Sequence, residues 1–215
     1  MTVSTRGLAG RSRGTSKLPR ARREELLLDA AAEEFGALGH AGASLGRIAD
    51  RAGVSKALVL TYFGSKDGLY AACVARAGHN LITRIEPVLA TPPDRPREVA
   101  LATLAAIFSG LEPRPHDWNL LNDRSVPPGE GAQVLQRMRQ TIADQASRGV
   151  AGLNETALLD DADDVALLTE VWMSTVTAVV NWWLRHPDRT AAEMTTRCDR
   201  VLTAITTPPR TSRPS

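Results

Sequence analysis

One stretch of 21 residues, GVSKALVLTYFGSKDGLYAAC from Gly53 to Cys73, limits the possible fold more than any other part of the chain. Gly53 and Gly64 are each followed closely by a serine. Helices commonly end at a glycine, and a serine hydroxyl is a good N-cap for the next helix. The spacing predicts a helix of barely two turns from Ala57 to Phe63, and a second helix that begins just after Ser65.

Two further helices precede this stretch. In RREELLLDAAAEEFGALG, apolar residues from Leu27 to Leu38 recur at helical spacing, and Gly39 is expected to end the helix. LGRIADRAG then follows Ser44, a second candidate N-cap, and is closed by Gly53. Short helices joined by tight glycine turns are typical of a helix-turn-helix, whose last helix can enter the major groove of DNA.

Polar side chains surround the joint between the short helix and the next one. Lys56, Thr61, Tyr62 and Lys66 carry ammonium and hydroxyl groups, which commonly contact phosphates and set the register of a protein on DNA. The alternative is that each is an ordinary solvated residue of a helical bundle. The caps, the glycines and the basic amino-terminal segment together favour a DNA-binding surface.

The net charge of +2 is small, but its distribution is uneven. Seven cationic residues precede the first acid, Glu24: Arg6, Arg11, Arg13, Lys17, Arg20, Arg22 and Arg23. Residues 1–19 are rich in Gly, Ser, Thr and Arg and are expected to form a disordered basic arm. This arm is either an electrostatic extension that contacts DNA or a solubility tail. It has no apolar segment of a secretory signal, and we expect a cytoplasmic protein.

The run I-A-x-x-A-G-V-S at Ile48 to Ser55, followed by Y-F-x-S-K-x-x-L at Tyr62 to Leu69, resembles the DNA-binding region of the TetR family of bacterial transcriptional repressors. The resemblance covers about Arg22 to Leu69. It implies that the second, third and fourth helices contact phosphates through Ser44, Thr61, Tyr62 and Lys66. It also implies that the recognition helix opens towards base edges with Ser55, Lys56, Ala57 and Leu58. Arg22 and Arg23, which follow shortly after the arm, are further candidate DNA contacts.

Some positions depart from the usual family pattern. Ala57, Leu58 and Leu60 stand where Gly, Thr and Tyr are common, and His40 stands where Tyr or Phe is common. Leu58 could meet a thymine methyl group in place of a hydrogen bond. Leu60 is expected to pack inward.

The remainder of the chain predicts an all-α fold. Helices are expected to continue to about Leu89 and to follow near Arg97 to Leu111, Gln133 to Arg148, Val165 to Arg185 and Thr190 to Ile205. PRPHDW and SVPPGEG are expected to be irregular connections. The predicted division is a basic arm (1–19), a helix-turn-helix domain (20–66), a ligand-binding and dimerisation domain (67–207) and a disordered tail (208–215).

The segment from Val165 to Leu184 is apolar nearly all round and long enough to cross a bilayer, but it contains Glu170 and Asn181. We interpret it as a helix with one side on its own domain and another on a partner chain, with no membrane. The resemblance implies a four-helix dimer interface formed by the last two helices. The candidate interface residues are Val176, Val179, Trp183, Val201, Leu202 and Ile205. A helix buried in a monomer core is the alternative.

The resemblance also implies an unidentified small-molecule effector bound in this body. Aromatic side chains with a few polar groups suit an apolar ligand. The candidate pocket residues are Phe108, Trp118, Asn122, Arg124, Met138 and Trp172. For each of them an ordinary core position is the alternative.

Enzyme chemistry is disfavoured by the sequence. The four histidines are scattered, Cys73 and Cys198 have no metal-ligand spacing, and no phosphate-binding glycine loop is present. We therefore expect no catalytic residues, no metal site and no cofactor. The leading hypothesis is a homodimeric, ligand-responsive repressor of a pseudo-palindromic DNA operator. The alternative is an effector-independent or non-specific DNA-binding protein.

Overall fold

The computed structural model describes residues 19–152 and 161–206. Residues 1–18 of the predicted arm and the predicted tail lie outside the described residues. Within these ranges the chain forms nine helices and no strand, which confirms the all-α prediction. The helices are α1 (Arg20–Gly42), α2 (Leu45–Ala52), α3 (Lys56–Phe63), α4 (Lys66–Ala90), α5 (Pro96–Leu111), α6 (His116–Leu121), α7 (Glu130–Ala151), α8 (Ala162–Leu184) and α9 (Ala191–Thr206).

The chain divides into two compact units. Unit 1 contains the described residues up to Arg76 together with His116–Gln136, and unit 2 contains Ala77–Pro115 and the described residues from Arg137 onward. The sequence placed residues 116–136 in the body, whereas the structure groups them with the amino-terminal helices because α6 packs on α1. The functional division at residue 66 stays a prediction.

The local signals around the helix-turn-helix act as the sequence predicts. The hydroxyls of Ser44, Ser55 and Ser65 each accept a backbone N–H two or three residues further along. Gly53 and Gly64 have φ values of 66° and 71°, which a residue with a Cβ rarely adopts. The caps and glycines therefore fix where α2 and α3 begin and end, and where α4 begins.

Helix α1 extends past its predicted end. Gly39 has φ 69° and ψ 171° and kinks the helix, but hydrogen bonding resumes and the helix ends at Gly42. The Ala43 N–H donates to the Gly39 carbonyl. The glycine therefore redirects the last turn of α1 rather than ending it.

Helix α6 corrects the prediction that PRPHDW is irregular. The prolines do break the chain, but the six residues from His116 to Leu121 form a helix. Its Trp118, Leu120 and Leu121 are buried, and the Tyr70 hydroxyl donates to the Leu120 carbonyl at 3.1 Å. A helix this short has little stability alone, so these tertiary contacts hold it.

Unit 2 has its own apolar core, in which Phe108 meets Trp183 edge to face with ring centres 5.2 Å apart. Val176 and Val180, which precede Trp183 on α8, are also buried. A polar network joins Gln145 and Arg148 of α7 to the Glu86 carboxylate of α4, with distances of 2.6 and 2.9 Å. Thus α8 has an inward face of its own.

Candidate nucleic-acid interface

The first turn of α3 is open to solvent. Ser55, Lys56 and Ala57 are exposed and Leu58 is half-buried, while Val59 is completely buried and anchors the helix. Leu60 is 38% exposed, so the expectation that it packs inward is wrong. The inward face of this two-turn helix is narrow, since the residue after a buried valine points about 100° away from it.

Thr61, Tyr62 and Lys66 lie at the other end of α3 and the start of α4. The Thr61 hydroxyl donates to the Ala57 carbonyl at 2.9 Å and is exposed. The Arg20 guanidinium stacks over the Tyr62 ring, 5.2 Å from its centre, which is favourable cation–π geometry. Of the two arginines predicted to contact DNA, Arg22 is exposed and pairs with Glu25, and Arg23 is half-buried.

Ser44 is held at the start of α2 by a buried acid that the sequence analysis did not single out. Glu34 is 4% exposed, and its Oε1 accepts the Ser44 N–H at 3.1 Å and the Arg47 Nε–H at 2.5 Å. Arg47 also donates to the Gly42 carbonyl at 2.8 Å. This network fixes the turn from α1 into α2.

His40 lies inside unit 1. It is 7% exposed, stacks on Phe35 and meets Tyr70 edge to face. Its Nε2 lies 3.6 Å from Oδ1 of Asp67, and neither atom has a hydrogen-bond partner among the described residues. Burial lowers the pKa of His40, and the Lys66 ammonium lowers it further, while the Asp67 and Asp123 carboxylates act in the opposite direction.

Several backbone groups near His40 are bound by side chains from the segment after α6. The His40 N–H donates to the Asp123 carboxylate at 2.6 Å, and the Ala41 N–H donates to the Ser125 hydroxyl at 3.2 Å. Lys66 in turn donates to the Ala41 carbonyl at 3.5 Å. No local signal in the sequence predicts the contacts of Asp123 and Ser125, because each of these residues lies more than 80 positions from its partner.

The six predicted pocket residues divide equally between the units. Trp118, Asn122 and Arg124 belong to unit 1, whereas Phe108, Met138 and Trp172 belong to unit 2. Of these six, all within the described ranges, only Trp172 lines the cavity of about 350 Å³ in unit 2. This cavity is an open, almost wholly apolar groove between α8 and α9, with Leu104 of α5 at one side. The location of an effector site stays a prediction.

The predicted interface residues also fall into two groups. Val176 and Trp183 are buried in the chain's own core, so an isolated chain does not offer them to a partner. Val179, Val201, Leu202 and Ile205 line the open groove. Ile205 is 76% exposed and Leu167 of α8 is 65% exposed. The outward face of α8 and α9 is therefore apolar.

By length and apolarity α8 could cross a membrane, and only 17% of its most apolar window is buried within the chain. Asp163, Asp164 and Glu170 lie within the helix. Among the described residues, no three His, Cys, Asp or Glu side chains form a group that could hold a metal ion. Cys73 is fully buried, and this burial raises the pKa of its thiol to about 12.

Helices α2 and α3 are short and capped, and the first turn of α3 is exposed. Arg20, Tyr62 and Lys66 lie around the far end of α3. These features define the class of this protein as an all-α, helix-turn-helix chain. The family model for bacterial regulatory proteins of the tetR family matches residues 27–73, which lie in unit 1. Over these residues the chain is similar to the DNA-binding region of the TetR family.

A curated relative is similar to this chain over a longer stretch. The HTH-type transcriptional activator FasR of Mycolicibacterium smegmatis is 38% identical over 128 residues. The match covers 59% of this chain and spans 58% of the length of that relative.

Solved structures share the fold at low sequence identity. AibR in complex with isovaleryl coenzyme A and operator DNA has a TM-score of 0.67 at 15% identity, over 83% of this chain and 97% of that one. FadR from Bacillus subtilis in complex with stearoyl-CoA has a TM-score of 0.65 at 16% identity, over 83% and 96%. At such identities the likeness describes the fold alone.

Proposed function

We propose that this chain is a cytoplasmic, homodimeric transcriptional regulator that binds a pseudo-palindromic operator in double-stranded DNA and responds to a small apolar effector. The observation that carries the proposal is the geometry of α3. Its first turn presents Ser55, Lys56 and Ala57 to solvent, and Tyr62 and Lys66 lie at its far end. This is the arrangement by which a recognition helix enters the major groove while flanking hydroxyls and cations contact phosphates.

The outward face of α8 and α9 supports the dimer. Exposed apolar side chains including Leu167, Val171, Val201 and Ile205 lie on two long helices of one unit. Large apolar side chains exposed in this number on two helices commonly mark an interface. A two-fold axis through such an interface provides the two recognition helices that a pseudo-palindrome requires.

Acyl-CoA thioesters, of which only the acyl chain is apolar, are the first effectors to test, because AibR and FadR are each described with one bound. The sequence favoured a repressor that its ligand releases, whereas the relative FasR is named an activator. We retain repression as the proposal. A reporter gene placed behind the bound operator, with and without the regulator, determines the sign. An effector-independent or non-specific DNA-binding protein is the second candidate.

The DNA proposal is tested by selecting duplexes from a randomised pool with the full chain and measuring their affinity against a scrambled duplex over a salt series. Lys56→Ala and Lys66→Ala should each weaken binding, and each lost phosphate contact should reduce the log–log salt slope by about 0.9. Arg137→Ala, an exposed site in unit 2, is the matched control and should change neither quantity. Equal binding to all duplexes would favour the non-specific candidate.

The dimer proposal is tested by light scattering on Ile205→Glu, which places a charge on the outward face of α9. The molar mass should fall towards that of one chain. Leu38→Glu is the control, since Leu38 is 50% exposed on α1 and lies outside this face. An unchanged mass for Ile205→Glu would exclude this face as the interface. Acyl-CoA thioesters of increasing chain length, added to the protein–DNA complex, then test the effector class.

A further inference from the structure

The last turn of α1 rests on side chains from α6 and the segment that follows it. The Asn119 amide donates to the Gly36 carbonyl at 3.0 Å. Asp123 Oδ2 accepts the His40 N–H at 2.6 Å, and Ser125 Oγ accepts the Ala41 N–H at 3.2 Å. We call Asp123 and Ser125 the clamp.

The clamp is internally fixed. Both the backbone N–H and the hydroxyl of Ser125 donate to Oδ1 of Asp123, at 2.8 and 2.7 Å. Burial opposes ionisation of Asp123, but hydrogen bonds from Ser125 and His40 outweigh burial and place the pKa of this carboxyl below its usual range. The carboxylate is therefore charged near neutral pH, and charge-assisted hydrogen bonds are the stronger kind.

The clamped turn leads directly to the candidate DNA contacts. Ala41, whose N–H is held by the clamp, accepts from Lys66 through its carbonyl. Ser44, the cap of α2, follows three residues later. Gly39 admits the clamp closely, because a Cβ at this position would lie 2.6 Å from Ser125 Oγ. The clamp therefore orders the backbone that Lys66 contacts and that leads into Ser44.

We propose that Asp123 and Ser125 are positioning residues for DNA binding, which hold the α1–α2 turn in the conformation that contacts phosphate; the inference rests on the DNA-binding function proposed above. Without the clamp, a smaller fraction of the free protein has this conformation, and the apparent affinity falls by that fraction. The direction in which the DNA affinity changes distinguishes a positioning role from a purely electrostatic one. Removing a negative charge near a DNA-binding surface would strengthen binding by electrostatics alone, whereas loss of positioning weakens it.

The test uses the full chain with Asp123→Ala, Asp123→Asn and Ser125→Ala. Asp29→Ala is the matched control, since it removes a carboxylate that pairs with Arg76 at 2.7 Å on the first half of α1, away from the turn. Hydrogen exchange of the His40 and Ala41 amides reports on the clamp. Binding of a short mixed-sequence duplex over a salt series reports on its effect.

We expect faster exchange at His40 in the Asp123 variants and at Ala41 in Ser125→Ala. Asp123→Ala should weaken DNA binding by about tenfold, with an unchanged salt slope because the bound state keeps its phosphate contacts. Asp123→Asn should recover part of the loss, since its amide oxygen can still accept from His40. Asp29→Ala should leave the affinity unchanged.

Three results would overturn the inference. Asp123→Ala could bind DNA as tightly as the unaltered chain or more tightly while its amides exchange faster. Asp29→Ala could weaken binding as much as Asp123→Ala, which would assign the loss to general stability. If the unaltered chain binds no duplex even at low salt, the DNA-binding function itself is wrong and the inference falls with it, which distinguishes that failure from the other two.

Discussion

Replacing Gly39 with alanine should destabilise unit 1 more than the same change at Gly36 or Gly53. Two costs combine at this site. Gly39 has φ 69° and ψ 171°, a region that is essentially limited to glycine, and forcing another residue into it costs about 1–3 kcal/mol. The new Cβ would also lie 2.6 Å from Ser125 Oγ and 3.3 Å from Asp123 Oδ1. Overpacking of this kind costs about 1–3 kcal/mol.

Two other glycines separate these costs. Gly53 has φ 66° and nothing within 4 Å of a built Cβ, so Gly53→Ala carries backbone strain alone, of about 1–2 kcal/mol. Gly36 has no positive φ, but its Cβ would lie 2.7 Å from the Cβ of His116, so Gly36→Ala carries the collision alone. That collision is partly offset by the better helix propensity of alanine, which is worth about 1 kcal/mol.

The assay is urea unfolding followed by far-ultraviolet circular dichroism, supported by hydrogen exchange of the α1 amides. Gly39→Ala should lower the free energy of unfolding by about 3 kcal/mol or more, and the two single-cost variants by about 1 kcal/mol each. A loss at Gly39 no larger than that at Gly53 would refute the reasoning, because it would mean that Ser125 and Asp123 move aside without cost.

Three further predictions concern buried polar groups. The pKa of His40 is lowered from 6.5 in the folded chain, so the unfolded chain binds the proton at a higher pH than the folded chain does. The free energy of unfolding should therefore decline as the pH falls below about 6.5. Urea titrations at several pH values check this, and His40→Gln should remove the decline. Cys73, with its thiol pKa raised to about 12, should react with a thiol reagent only as fast as the chain opens, and labelling followed by mass spectrometry checks this. Glu34→Ala should cost about 2 kcal/mol because it leaves the Ser44 N–H and Arg47 without their buried acceptor. Glu33→Ala, which breaks an exposed pair with Arg51, should cost less than about 1 kcal/mol in the same urea unfolding experiment, and equal losses would contradict the argument.

The sequence contains the local determinants of the helix-turn-helix. A serine hydroxyl caps a backbone two or three residues away, and a glycine allows a positive φ at its own position, so Ser44, Ser55, Gly53 and Gly64 could be interpreted without knowledge of the rest of the chain. For the same reason the starts of α2, α3 and α4 were predicted correctly.

Contacts between distant segments could not be predicted from such local signals. Helix α6 is held by burial against α1, and a run with two prolines gives no hint of that partner. The His40 N–H donates to Asp123, which lies 83 positions away. On α8, helical spacing predicted an apolar helix but could not show that Val176 and Trp183 face inward while Val179 lines the groove, since an all-round apolar pattern does not reveal which side meets the chain's own core.

Unit 1 is assembled from two separate stretches of the chain, and this limits how the gene can be recombined. A fragment that ends near Arg76 lacks α6, Asp123 and Ser125, so it encodes α3 without the residues that hold the α1–α2 turn. A chimaera that exchanges only the first segment between two regulators would join one parent's α1 to the other parent's clamp. Under the proposed function, new operator specificity is therefore better transferred by grafting the exposed residues of α3 than by exchanging the amino-terminal segment as a module.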